Sequence, residues 1–183
     1  FSVNWIYSKN QDLIDDQSNR YFYVEDPIDL EVKEVPKKEY TAKPLLLPSK
    51  PEKGTRSIDI RTKNSQVNFF ISSKDMEGLE KSQIIRLKDL FNIQIDLIDV
   101  DSKKIHAHYN SAELDRSFSI IQWVPVKDHV NVEILKPDGI ISKGAGEINL
   151  LNIPMEKPIQ FERYGFVNPI KRDKNSLFCY FTH

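Results

Sequence analysis

Hydrophobic side chains recur at every second position through much of this chain. Ile28, Leu30 and Val32 alternate with Asp29, Glu31 and Lys33, the signature of a strand with one buried face. The same reading predicts strands over 58–60, 67–71, most of 84–100, 105–109, 118–126, 130–135 and 177–182. The apolar positions change parity near Leu97 and Ile98, so a β-bulge is expected there, of the kind that suits tightly curved small barrels. Residues 101–103 and 127–129 read as hairpin turns, and 137–139 (Pro-Asp-Gly) as a further turn. Helical signals are short. Residues 1–18 suggest helical pieces with Asn10 as an N-cap, and one capped helix is expected from Ser73 to about Gly78. Residues 36–56 hold Pro36, Pro44, Pro48 and Pro51 and read as a long extended connection, with a strand around 45–47.

Short strands punctuated by turns make an all-β chain of barrels or sandwiches. The organisation expected is a helical lead-in over 1–18, a proximal barrel from 19–82 plus 148–183, and a distal barrel inserted over 83–147. No repeat of 20 to 50 residues is visible.

Composition narrows the function. The chain has 183 residues with a net charge of −1, which does not advertise a nucleic-acid binder, although the charges are unevenly spread. Residues 1–35 carry eight acidic and three basic side chains; residues 36–63 carry eight basic and three acidic. Cys179 is alone, which excludes an internal disulfide and a multi-cysteine zinc site. No apolar run approaches the roughly 20 residues of a membrane span, and a cytoplasmic protein without a membrane or DNA partner is expected. No P-loop, dinucleotide fingerprint, nucleophile elbow or zinc-protease motif occurs, and no acid–base dyad can be assembled. His106 and His108 share a strand face but lack a third ligand nearby.

Two strips combine aromatic rings with polar groups that could hold a base. They are Arg20-Tyr21-Phe22-Tyr23 and Gln160-Phe161-Glu162-Arg163-Tyr164, and Gly165 follows the second. Single-stranded RNA is read by stacking splayed bases on aromatics and bonding their edges. Glutamine offers a donor beside an acceptor, matching N3–H and a carbonyl of uracil, and arginine offers a donor fork. Arg86 and Lys88 place two cations on one strand face. Against this, the aromatics could be core and the arginines paired with local acids.

Five blocks in order resemble the C-terminal anticodon-binding region of archaeal or eukaryotic-type glutamyl-tRNA synthetases, relatives of the glutaminyl enzymes. They are 19–27 (NRYFYVEDP), 53–56 (KGTR), 85–89 (IRLKD), 121–125 (IQWVP) and 160–166 (QFERYGF). The resemblance implies two β-barrels of the ribosomal-protein L25-like type, with tRNA(Glu) as ligand and tRNA(Gln) as a second candidate. It implies Arg20 and Gln160 at the central anticodon base and Arg86 and Lys88 at a flanking base; Tyr21 and Arg163, from the two strips, are expected among the RNA contacts. Lys88 stands where the glutaminyl relatives carry arginine. The class I catalytic signatures are missing, so this piece is expected to lack catalysis and cofactors. ATP and magnesium would belong to the catalytic domain of a parent glutamate–tRNA ligase. A β-barrel that docks a protein of a synthetase complex, and a barrel binding structured ribosomal RNA, are the rival readings.

Overall fold

The structure is a computed structural model that describes residues 14, 15 and 17–182. The helical lead-in expected over 1–18 falls mostly outside these residues. In chain order the first strands are β1 (Arg20–Tyr21), β2 (Tyr23–Glu25), β3 (Pro27–Lys33), β4 (Glu39–Ala42), β5 (Ile58–Arg61) and β6 (Val67–Ser72). Then come β7 (Ile84–Leu87), β8 (Asn92–Asp99), β9 (Lys104–Ser111), β10 (Ser119–Ile121) and β11 (Val124–Pro125). The last are β12 (Val130–Leu135), β13 (Ile141–Gly146), β14 (Ile159–Phe161), β15 (Gly165–Asp173) and β16 (Ser176–Phe181). The short helix Ser73–Met76 is capped by the Ser72 hydroxyl, which accepts from the Lys74 N–H. The strand expected around 45–47 is reduced to a single bridge between Leu45 and Thr55.

Strands β4 and β5 form a separate two-stranded ribbon; of the two large sheets, one runs β10-β7-β8-β9-β3-β6-β11 and the other β1-β14-β15-β16-β12-β13-β2. Each closes on itself, because its two edge strands are halves of one continuous run. Residues 119–125 pair with β7 through β10 and with β6 through β11. Residues 20–25 pair with β14 through β1 and with β13 through β2. Counted this way, barrel one and barrel two have six strands each.

The barrels share one topology. Matching β3, β6, β7, β8 and β9 with β12, β13, β14, β15 and β16 reproduces every neighbour and every strand direction. Both barrels pair their closing strand in parallel with the third strand, and their first strand in parallel with the fifth. Both also carry a register shift in the fourth-to-fifth pairing, at Ile95/Leu97 and at Pro169/Lys171. The first of these supplies the bulge expected from the parity change near Leu97. The chain is thus a tandem duplication in which each half lends its leading strand to the other barrel.

This exchange redraws the expected organisation. Barrel one comprises strands between 27 and 125, and barrel two combines 20–25 with strands between 130 and 181. The sheets therefore do not divide at 82/83 and 147/148. β12 and β13, expected in an inserted barrel, pair with β16 and β2 near the chain ends. The hairpin expected at 127–129 does not form either: β11 pairs with β6, and β12 with β13 and β16. Asp128 adopts φ 66, so the turn is present, but it carries the chain from one barrel to the other.

Strands buried on one face alternate as expected; β3 reads buried at Ile28, Leu30 and Val32. The closing strands are buried on both faces. Tyr21 and Tyr23 enter the core of barrel two, while Phe22 and Val24 join that of barrel one. Residues 121–124 are likewise all buried. Phe22 and Trp123, one from each closing strand, meet edge to face at 5.7 Å.

Candidate nucleic-acid interface

The parallel ladder between β1 and β14 sets Arg20 directly opposite Gln160, and Tyr21 opposite Phe161. Residues 140 positions apart are thereby adjacent. The Gln160 N–H donates to the Asn19 carbonyl at 2.9 Å, locking the register. Arg20 and Gln160 share the face that, farther along the same strands, carries Phe22 and Glu162 to the seam with barrel one. Both are half-buried. Among the described residues, Arg20 Nε and Gln160 Oε1 are shielded from water and have no hydrogen-bond partner. A ligand edge would reach them only after the side chains turn outward.

The same alternation corrects one expectation. Tyr21 is only 5% exposed, and its ring lies in barrel two with the Arg56 guanidinium 5.6 Å from its centroid. It is a core side chain, with no free face for a base to stack on. Period two puts Tyr21 on the side opposite Arg20, while Phe22, on the Arg20 side, is buried in the core of barrel one.

Lys88 projects from barrel one into the seam, where its ammonium pairs with Glu162 and lies 5.7 Å from the Phe22 ring centroid. Arg163 tops the tight turn between β14 and β15, at φ 63, and Gly165 at φ 147 provides the backbone that lets β15 begin. Its guanidinium reaches Asp75 of the short helix, Nη2 at 2.8 Å and Nη1 at 3.3 Å. Arg86 is committed elsewhere: Nη1 donates to Asn92 Oδ1 at 2.9 Å and to the Ala112 and Glu113 carbonyls at 3.3 Å, which anchors the chain after β9. Lys88 and Arg163 thus reach across the seam, Arg20 and Gln160 lie side by side on barrel two, Arg86 holds a loop, and Tyr21 is inside.

Beneath the seam lies a charged network that the sequence did not disclose. Arg56, 5% exposed, directs Nε to both oxygens of Glu147 (2.9 and 2.8 Å), Nη1 to the Leu45 carbonyl (2.7 Å) and Nη2 to Glu162 (3.4 Å). Glu147 is fully buried and also accepts from the Phe22 N–H at 2.7 Å and Asn149 Nδ2 at 2.8 Å. Burial pushes its carboxyl above the usual range, against the pull of Arg56 and these donors. Gln122, with its amide turned to donate, ties barrel one to the Tyr23 and Glu162 carbonyls at 2.8 and 3.2 Å. The one sequence signal for Arg56 was its place in a recurring block; burial of a charge is a tertiary property.

A cleft of about 510 Å³ opens along the seam, floored by Tyr23, Val24 and Tyr164 and rimmed by Lys74, Asp75 and Arg163. Glu25 bridges the barrels at this rim, accepting from Lys74 (3.1 Å), Lys136 (3.3 Å) and Ser142 (2.7 Å). Burial alone would raise the Glu25 carboxyl, but the Ser142, Lys74 and Lys136 hydrogen bonds outweigh it and hold the group below the usual carboxylate range. His106 and His108 lie away from the seam, bonded to Glu31 (3.0 Å) and Asp96 (2.7 Å).

A seam of mixed charge offers both donors and acceptors to a polar ligand. Comparisons with known proteins give the family. Two family models, both described as tRNA synthetases class I (E and Q), anti-codon binding domain, match residues 18–111 and 120–169. Their division falls between β9 and β10, where one half of the duplication gives way to the next. Among the relatives is a glutamate–tRNA ligase of Methanocaldococcus jannaschii, 33% identical over 186 residues, covering 100% of this chain and 32% of that protein. Those of Pyrococcus furiosus (32% over 188 residues) and Pyrococcus abyssi (34% over 191) also match 100% of the chain and 32% of their own length. The chain spans about a third of these relatives. It belongs to the anticodon-binding domain family of the class I (E and Q) tRNA synthetases.

Proposed function

We propose that this chain is the part of a glutamate–tRNA ligase that selects tRNA(Glu) by its anticodon, with tRNA(Gln) as a second candidate. The observation that carries the reading is the register Arg20↔Gln160, which joins a donor fork to an amide on one face beside the seam. A uracil edge offers an N–H donor between two carbonyl acceptors, and Gln160 with Arg20 supplies the complement. Lys88 and Arg163 would add contacts to flanking nucleotides, and exposed lysines a salt-dependent grip on phosphates. Arg86, held by Asn92 and two carbonyls, would act mainly by placing the loop after β9. ATP, magnesium and glutamate would be handled by a catalytic domain elsewhere in the parent enzyme, in the cytoplasm.

Titration of the chain with RNA hairpins bearing the glutamate anticodon loop, or loops changed at one base, tests this. The cognate hairpin should bind most tightly, and Arg20→Ala or Gln160→Ala should lose discrimination chiefly at the central base. Equal affinity for every loop would refute the reading, as would unchanged ratios in both variants refute those two residues.

A further inference from the structure

Three of the candidate reading cations are already held by carboxylates: Arg20 by Asp15 at 3.2 Å, Lys88 by Glu162, and Arg163 by Asp75 through two bonds. The third pair is the most uneven. The Arg163 side chain is 57% exposed and that of Asp75 only 13%. Asp75 sits on a helical turn with no fully buried residue, although the neighbouring Met76 packs against the core of barrel one. Arg163 keeps a left-handed backbone that glycine or asparagine would adopt more readily, so what the position supplies is the guanidinium. A largely shielded acid therefore holds a largely exposed cation across the mouth of the inter-barrel cleft.

We propose that Asp75 is a specificity-determining residue that competes with RNA for Arg163. This rests on the reading that the seam binds an anticodon loop. Any RNA that uses Arg163 must replace both bonds to Asp75 and tolerate the carboxylate it leaves behind. A loop that brings a phosphate or a base edge into bidentate register does so; a loop that misses the register meets an uncompensated negative charge. Asp75 thereby weakens binding to every RNA, and weakens the wrong ones more.

The test compares wild type, Asp75→Asn, Asp75→Glu and Arg163→Ala, with anticodon hairpins as probes and thermal melting as the control for folding. Asp75→Asn should bind all hairpins more tightly, by roughly three- to tenfold, with a narrower ratio between cognate and substituted loops. Asp75→Glu should keep the wild-type ratio. Arg163→Ala should narrow the ratio without any gain in affinity. If Asp75→Asn binds as wild type does, the proposal is wrong. If it loses affinity in parallel with Arg163→Ala, Asp75 merely positions Arg163 and the proposal is also wrong. A wild-type chain that binds none of the hairpins would remove the anticodon reading, and this proposal with it.

Discussion

Glu147→Ala should unfold the seam from within. Glu147 is fully buried, and its two oxygens receive Arg56 Nε, the Phe22 N–H and Asn149 Nδ2. Truncation strands the Arg56 charge among the Tyr21 and Phe22 rings and leaves the Phe22 amide without an acceptor. Breaking a buried ion pair typically costs about 3–5 kcal/mol. Here Arg56 keeps the Leu45 carbonyl and a long contact to Glu162, so the loss should fall near the lower bound, about 3 kcal/mol. Arg56→Met should lose a similar amount by isolating the Glu147 carboxylate. The double variant Arg56→Met/Glu147→Ala buries no charge at the pair and should lose about 3 kcal/mol, well short of the ~6 kcal/mol that additivity gives. Urea unfolding, followed by tryptophan fluorescence and by circular dichroism, measures all three. A single-variant loss below about 1 kcal/mol, or a double equal to the sum of the singles, would refute the assignment of the pair as mutually dependent.

Glu25 is held below the usual carboxylate range in the fold, so its stabilising contribution is full above the unfolded group's pKa and disappears as pH falls through the folded value. Glu25→Gln should therefore lower Tm at neutral and alkaline pH, with the gap from wild type closing as pH falls through the folded value. Gly144 lies under the Tyr23 ring and the Val24 carbonyl, either of which an added Cβ would strike; Gly144→Ala should cost about 2–3 kcal/mol by urea unfolding, because the backbone there is fixed by the β2–β13 ladder. Cys179 is fully buried, and burial pushes its thiol up to about 12. Folded protein at pH 8 should leave a thiol-specific disulfide reagent unreacted, and the rate should rise only with urea, in step with the loss of circular dichroism.

The strands were legible wherever one face is buried and the other wet, as in β3, β6 and β12. The closing strands were not. Their four consecutive buried residues carry no visible alternation, so nothing in 20–25 or 119–125 tells which barrel they close. The turn at 127–129 misled for a related reason: turn chemistry is local, whereas the partners of β11 and β12 lie dozens of residues away in opposite directions. Arg20 and Gln160 could be picked out by residue type, and the structure places them side by side. The burial of the Tyr21 ring was not legible because the strip was read without its two faces. Arg56 and Glu147 were unreadable as a pair, since 91 positions separate them and only the folded seam brings them together.

The strand exchange has a consequence for recognition as well as for folding. Barrel two is closed by the strand bearing Arg20, and barrel one by the strand bearing Gln122 and Trp123. Each closing strand passes directly into the first strand of the other barrel, at Glu25–Pro27 on one side and over 126–129 on the other. A hinge between two ordinary domains needs a single mobile linker, but here the barrels are joined twice, and each join is also a rung of a sheet. Reorienting one barrel would have to break the pairing at β2–β13 or β11–β6 and pull apart the Phe22–Trp123 contact. The distance from Arg20 and Gln160 to Lys88 is therefore set by backbone ladders and not by side-chain affinity. On the proposed reading, groups held that rigidly would reject a misplaced base, because the protein has no cheap motion with which to follow it.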